Sequence, residues 1–175
     1  MKHIGWIIIG VCACVSAWLY FGNPFATASH DPRARLLGFK TYKFSSSSML
    51  PTIQPGEFLF VSTFSYGSAS PRRGDLIAFF PPDGDDRTYV MRVLAEGGES
   101  IAIADGAVVV SGKRVQEGYL SRELVTAPYA VHMETRIVPG GHVFVLGDNR
   151  DNARDSRFFG PLPRSRVIGK VVELK

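Results

Sequence analysis

Ser45 to Ser48 run directly into Met49-Leu50-Pro51-Thr52, and an apolar segment, Phe58-Leu59-Phe60-Val61, follows. Serine runs are ordinarily solvated, but Pro51 fixes its own φ and holds Leu50 toward extended geometry. The backbone around Ser48 is therefore stiffer than its composition suggests. A hydroxyl on a stiff turn between two strands is a candidate nucleophile, provided a base can take its proton. Standing alone, the same stretch also reads as a serine-rich loop beside a proline turn. A second polar cluster, Gly147-Asp148-Asn149-Arg150-Asp151-Asn152-Ala153-Arg154-Asp155-Ser156-Arg157, follows the apolar run His142–Leu146. Asp and Asn order loops by bonding nearby amides, and Arg binds carboxylates through two parallel hydrogen bonds. The plainer reading of this cluster is a solvated polar turn.

The elements that must position these clusters are short apolar runs separated by turn signals. Residues 57–63, 75–80, 89–95, 100–104, 107–110, 143–146 and 167–174 each read as strands. Asp105-Gly106, between two β-branched runs, is the strongest hairpin signal in the chain. No stretch after the N-terminal segment keeps a 3.6-residue period. The expectation is a mainly β domain over residues 37–175, a sandwich or partly open barrel.

Ahead of it, Ile4 to Phe21 is eighteen residues without a formal charge, which reaches the lower range for a membrane-spanning helix. Trp6, Trp18 and Tyr20 lie near its ends, where amphipathic rings favour the interface. Residues 1–22 are read as a membrane anchor and 23–36 as a linker. A cleavable signal peptide is the competing reading, since Ala26-Thr27-Ala28 has the small-x-small form of a cleavage site, but the apolar run is long for that purpose. Lys2 lies before the segment and Arg33, Arg35, Lys40 and Lys43 after it, so charge counting does not orient it.

Composition excludes several classes. The net charge of +4 is spread among acids with no aromatic-interleaved basic face, which leaves nucleic-acid binding unsupported. Contact with anionic lipid fits better beside an apolar N-terminus. Cys12 and Cys14 both fall inside the apolar segment, and the four histidines are dispersed. Neither a disulfide framework, a metal site nor a phosphate-binding glycine loop is expected, and no cofactor is implied.

Taken together, four ordered motifs resemble the type I signal peptidases. They are Ser48-Met49-Leu50-Pro51-Thr52; Arg73-Gly74-Asp75-Leu76-Ile77-Ala78-Phe79; Tyr89-Val90-Met91-Arg92-Val93; and Gly147–Arg157 with Gly160-Pro161-Leu162-Pro163. The resemblance covers about residues 37–172 and implies a serine endopeptidase anchored in the bacterial inner membrane by one span. Its β domain would lie on the outer face and, as a monomer, remove signal peptides from exported preproteins. By position, Ser48 matches the nucleophile, and Ser46 the side chain that joins the Ser48 amide in the oxyanion hole. Tyr42 and Phe44 match a substrate-pairing strand, Leu50 and Val90 the surroundings of its small-residue pockets. Arg92, Asp148, Asp155 and Arg157 match residues that brace the site. An extended peptide would add to the strand edge by β-augmentation, with shallow pockets selecting Ala-x-Ala ends.

Two positions depart from the pattern. The family's general-base lysine, neutral when buried, directly precedes the arginine matched by Arg92; here that position is Met91. Methionine can fill the volume of a lysine stem but has no titratable nitrogen, and Arg92 is permanently protonated. The family usually has a serine where this chain has Ala153, and that hydroxyl helps hold the lysine amine. A single engineered Lys→Met change accounts for Met91 alone, whereas a natural divergent paralogue accounts for both. Three functions are compatible: a signal peptidase with another base, such as Lys43 or Lys113; a non-catalytic paralogue that binds signal peptides or assists export; and a dedicated processing peptidase of a conjugation or pilus system.

Overall fold

The structure, a computed structural model, describes residues 2–67 and 69–174, with side chains for all of these except 2–5, 173 and 174. Helix α1 (Lys2–Gly22) is followed by strands β1 (Phe39–Lys43), β2 (Phe58–Ser62), β3 (Leu76–Phe79) and β4 (Tyr89–Glu96). Next come β5 (Ser100–Ala104), β6 (Ala107–Val110), β7 (Lys113–Arg114), the one-turn helix α2 (Pro128–Val131), β8 (Met133–Ile137) and β9 (His142–Leu146). The chain closes with a second one-turn helix, α3 (Ser156–Phe159), β10 (Leu162–Pro163) and β11 (Val167–Leu174). The expectation of a mainly β protein is met. The seven strands read from the sequence all form, while β1, β7, β8 and β10 add to them.

The strands make two antiparallel sheets, one ordered β1-β2-β11-β3-β4-β9-β10 and the other β7-β6-β5-β8. β4 and β9 are the seam between them, because successive side chains point to opposite faces of a strand. Val93, Val143 and Val145 join the core of the larger sheet, whereas Leu94, Phe144 and Leu146 join that of the smaller one with Ile101, Ile103, Val108 and Val110. A strand buried on both faces reads as a continuous apolar run, which is what Val143–Leu146 shows. The Asp105-Gly106 hairpin forms as expected, with positive φ of 50° and 74° at its two residues.

The crossing from β1 to β2 carries the serines. Phe44, Met49 and Ile53 all enter the main core, the last two at 0% exposure. Each such side chain is worth about 1.5–3 kcal/mol of burial. Ser45–Ser48 are thus strung between buried anchors, which gives the stiffness that the Pro51 turn alone only suggests.

Among the described residues no helix is long and apolar enough to cross a membrane. The start of the expected anchor, residues 1–5, falls outside the described side chains. From Trp6 to Trp18 every side chain of α1 is exposed. Residues 23–36, read above as a linker, are tied to β11 at Thr27 and Ala28. Ala28 N–H donates to Val167 O at 3.0 Å and Thr27 Oγ1 to Ile168 O at 2.7 Å. The Asn23 side chain bonds both the N–H and the C=O of Thr27. Arg35 ties this segment to α1, donating to Ser29 O at 2.8 Å and to Tyr20 O at 3.0 Å.

Candidate active site

Ser46, Ser48, Phe44, Val90 and Met91 line one cleft of about 230 Å³, together with Arg87, Asn152 and Arg154. The two sequence clusters therefore meet across the start of β4. Met91 is 1% exposed and packs in the main core with its side chain at the cleft wall. Tyr42 and Leu50 are not among the lining residues. Tyr42 is half-buried on β1 against the core, and Leu50 is half-buried in the turn.

On the serine side, the Ser48 amide donates to Ser46 Oγ at 3.1 Å, so both occupy one edge of the cleft. The loop after β9 holds this segment from beneath. Asn149 N–H donates to Ser48 O at 3.0 Å, Asn149 Nδ2 to Ser47 O at 3.1 Å, and Asn152 Nδ2 to Ser47 Oγ at 2.8 Å. Gly147 is required by close approach: a Cβ there would come within 2.6 Å of Ser48 O and 2.3 Å of the Ala153 Cβ. Ala153, 8% exposed, thus lies directly behind the serine loop.

Two buried ion pairs set the shape of that loop. Asp148, fully buried, accepts from Arg92 Nε at 2.9 Å and Nη2 at 2.7 Å, and from Thr52 Oγ1 at 2.5 Å. Burial works against the Arg92 charge, but the hydrogen bonds and charge of Asp148 outweigh it and hold the guanidinium above its ordinary pKa. Asp155 accepts from Arg157 Nε at 2.8 Å and Nη2 at 2.7 Å, from Gly147 N–H at 3.1 Å, and caps α3 through Arg157 N–H at 3.1 Å. Neither pair touches the cleft. They fix the turn that does.

The lining includes no lysine, histidine or carboxylate; its charged groups are Arg87 and Arg154, paired with Asp85 and Asp83 on the β3–β4 loop. Lys43 and Lys113, named above as alternative bases, are exposed residues of β1 and β7 and do not line it. Sequence reasoning missed Thr52, Asn149 and Asn152 as individual contributors. Their partners lie roughly a hundred positions away in the chain, as the separations of 96, 102 and 105 residues show. Only the repeated Asn and Asp of the loop hinted at them.

The family described as signal peptidase, peptidase S26, matches residues 33–174. The chain belongs to this family. It is 37% identical to the probable signal peptidase I-1 of Synechocystis over 131 residues, 71% of this chain and 64% of that one. It is also 37% identical to signal peptidase I of Bacillus caldolyticus over 146 residues, 78% of this chain and 79% of that one. Among solved structures, a signal peptidase I from Enterococcus faecalis V583 superposes with a TM-score of 0.51 at 28% identity, over 59% of this chain and 98% of that one.

Proposed function

We propose that this protein is a membrane-anchored endopeptidase of the signal peptidase I type that takes exported preproteins at the Ser48 cleft and cleaves them far more slowly than a lysine-bearing relative. The observation that carries this reading is the convergence of Ser48, Ser46, Phe44, Val90 and Met91 on one cleft. An extended peptide entering between residues 44–46 and 88–90 presents its carbonyl to Ser48. In the free chain the Ser48 amide donates to Ser46 Oγ; turning that amide to the substrate lets it and the Ser46 hydroxyl both donate to the oxyanion, an arrangement worth a few kcal/mol in transition-state stabilisation. Deprotonation of Ser48 has no positioned helper. Met91 occupies the wall where an amine would serve, and loss of a general base costs about 10²–10⁴ in rate. The apolar, exposed face of α1 from Trp6 onward supports an anchor, because such a helix needs a covering that the domain does not supply. The outer face of the bacterial inner membrane is where exported preproteins emerge, and the domain is assigned there, as a single-pass monomer in contact with lipid.

A second reading is favoured by the Met91–Ala153 pair: a paralogue that binds signal peptides without hydrolysing them. The test is incubation of the detergent-solubilised protein with a preprotein whose signal ends in Ala-x-Ala, beside Ser48→Ala and Met91→Lys. Slow cleavage that Ser48→Ala abolishes and Met91→Lys accelerates supports the peptidase. Saturable peptide binding that survives Ser48→Ala, with no cleavage by the unmodified chain, supports the binder.

A further inference from the structure

The segment between β7 and α2 carries Glu117 and Tyr119, which lie outside all four motifs and outside the cleft, yet meet both arginines behind the serine loop. Tyr119 lies flat beneath Arg92, with the guanidinium carbon 3.8 Å from the ring centroid. Its hydroxyl donates to Glu117 Oε1 at 2.8 Å, and the same carboxylate oxygen pairs with Arg150 Nη2. Arg150 is fully buried, and its Nε donates to Gly147 O at 3.1 Å. Arg92 in turn holds Asp148 with two hydrogen bonds, and Asp148 holds Thr52. These contacts close a ring: Gly147, Arg150, Glu117, Tyr119, Arg92, Asp148.

We infer that Glu117 and Tyr119 are positioning residues for the Ser48 site, acting through Arg150 and Arg92 to fix the 147–150 turn against the serine loop. The inference rests on Ser48 being the reacting group. Two cations and two carboxylates make the ring neutral, so it can stay buried; removing the Glu117 charge leaves Arg150 without a counterion. A fully buried, unpaired guanidinium is strongly disfavoured, and relief requires the turn to move so that Arg150 reaches water. That turn is the one whose Asn149 amide holds Ser48 O at 3.0 Å. Tyr119 works differently. Its ring sets the plane of the Arg92 guanidinium, and that plane decides whether both of its donors reach Asp148. Burial, with help from the Glu117 carboxylate, pushes the phenol above its usual pKa and keeps it a donor.

The experiment is hydrogen exchange on the full chain and on Tyr119→Leu, Tyr119→Phe and Glu117→Gln, read by mass spectrometry, with preprotein cleavage measured alongside in the Met91→Lys background. Tyr119→Leu should raise exchange in residues 44–54 and 147–152 by about tenfold, the scale of one desolvated cation–π contact, and leave the β5–β6 hairpin unchanged. Tyr119→Phe, which keeps the ring, should restore the parent pattern. Glu117→Gln should loosen the same two segments; if it does not fold, the Tyr119 pair decides alone. In the cleavage assay, Tyr119→Leu should lower kcat with KM unchanged, and Tyr119→Phe should recover it. In Tyr119→Leu, unchanged exchange in both loops, or a rise spread over the β5–β6 hairpin as well, overturns the inference; the hairpin is not the control for Glu117→Gln, because Glu117 Oε2 also accepts the Val108 N–H of β6 at 3.3 Å. Absence of cleavage in every background would sink the peptidase reading while the exchange result still decides the positioning role.

Discussion

The two walls of the cleft differ in what holds them. The serine wall is a hydrogen-bonded assembly in which Ser47 O, Ser48 O, Ser47 Oγ and Thr52 Oγ1 are each tied to the loop after β9. The opposite wall, Val90 and Met91 on β4, is held by the β3–β4 pairing, opposite Ala78 and Ile77, and by side chains that make only apolar contacts, with Ala153 equally apolar behind the serine loop. The polar wall is a set of mutually dependent contacts: take away one of the buried ones and a donor or acceptor is stranded. The apolar wall tolerates exchange of side chains of similar volume. On the proposed reading, a base could be lost from the second wall without disturbing the first.

Restoring chemistry to the apolar wall is the largest change expected. Met91→Lys combined with Ala153→Ser should raise preprotein cleavage by about 10²–10⁴ over the unmodified chain, measured as single-turnover rate. The single Met91→Lys change should recover only part of this, because its amine lacks the neighbouring hydroxyl. If the double variant stays silent, the serine wall is not competent and the contrast between the walls collapses.

Attacking the polar wall should show as lost stability. Asp148→Ala leaves the half-buried Arg92 without its counterion and frees Thr52, with an expected cost of about 2–4 kcal/mol in chemical denaturation. Gly147→Ala forces a methyl against Ser48 O and the Ala153 Cβ, with about 1–3 kcal/mol lost to overpacking and peptide affinity falling with it. By contrast, Met91→Leu, which conserves volume on the apolar wall, should cost less than about 1.5 kcal/mol.

Acid should separate the walls as well. Burial of Asp151 acts to raise its pKa, but the Ala127 and Thr126 amides and the Thr126 hydroxyl outweigh it and hold the carboxyl below its ordinary range. The folded-state pKa is thus depressed. Its contribution is present above the unfolded value of about 3.9 and is lost as pH falls through the folded value. Exchange of the Thr126 and Ala127 amides should therefore rise below about pH 4 while β4 stays protected. The smallest effect is expected for Asn152→Ala, which removes one exposed bond to Ser47 and should cost about 0.5 kcal/mol or less.

How much of this was legible follows from range. The strands that the sequence announces are those whose apolar residues alternate or run unbroken, such as Ile101 and Ile103 on β5, or Val143–Leu146. β8 was silent because only Met133 of its five residues is buried, so no pattern marks it. Ser48, Phe44, Val90 and Met91 could be placed together only through a motif order, since no local rule brings residues 44–48 to residue 91. The grip of Glu117 on Arg150 left no trace at all. A buried ion pair between two loops has no period, and each residue by itself looks like solvated surface.

The docked stretch after α1 has a bearing on what the protein acts upon. Ala26-Thr27-Ala28 follows an apolar helix, as a cleavable signal does, and would fit the proposed specificity by side chain. Its main chain is unavailable: Thr27 is hydrogen-bonded at both N–H and C=O, and the Ala28 amide is held by Val167. Strand addition to a peptidase edge requires those groups free. On the proposed reading, discrimination between self and client would depend on backbone order, with the same three residues inert when folded onto β11 and readable when they arrive extended.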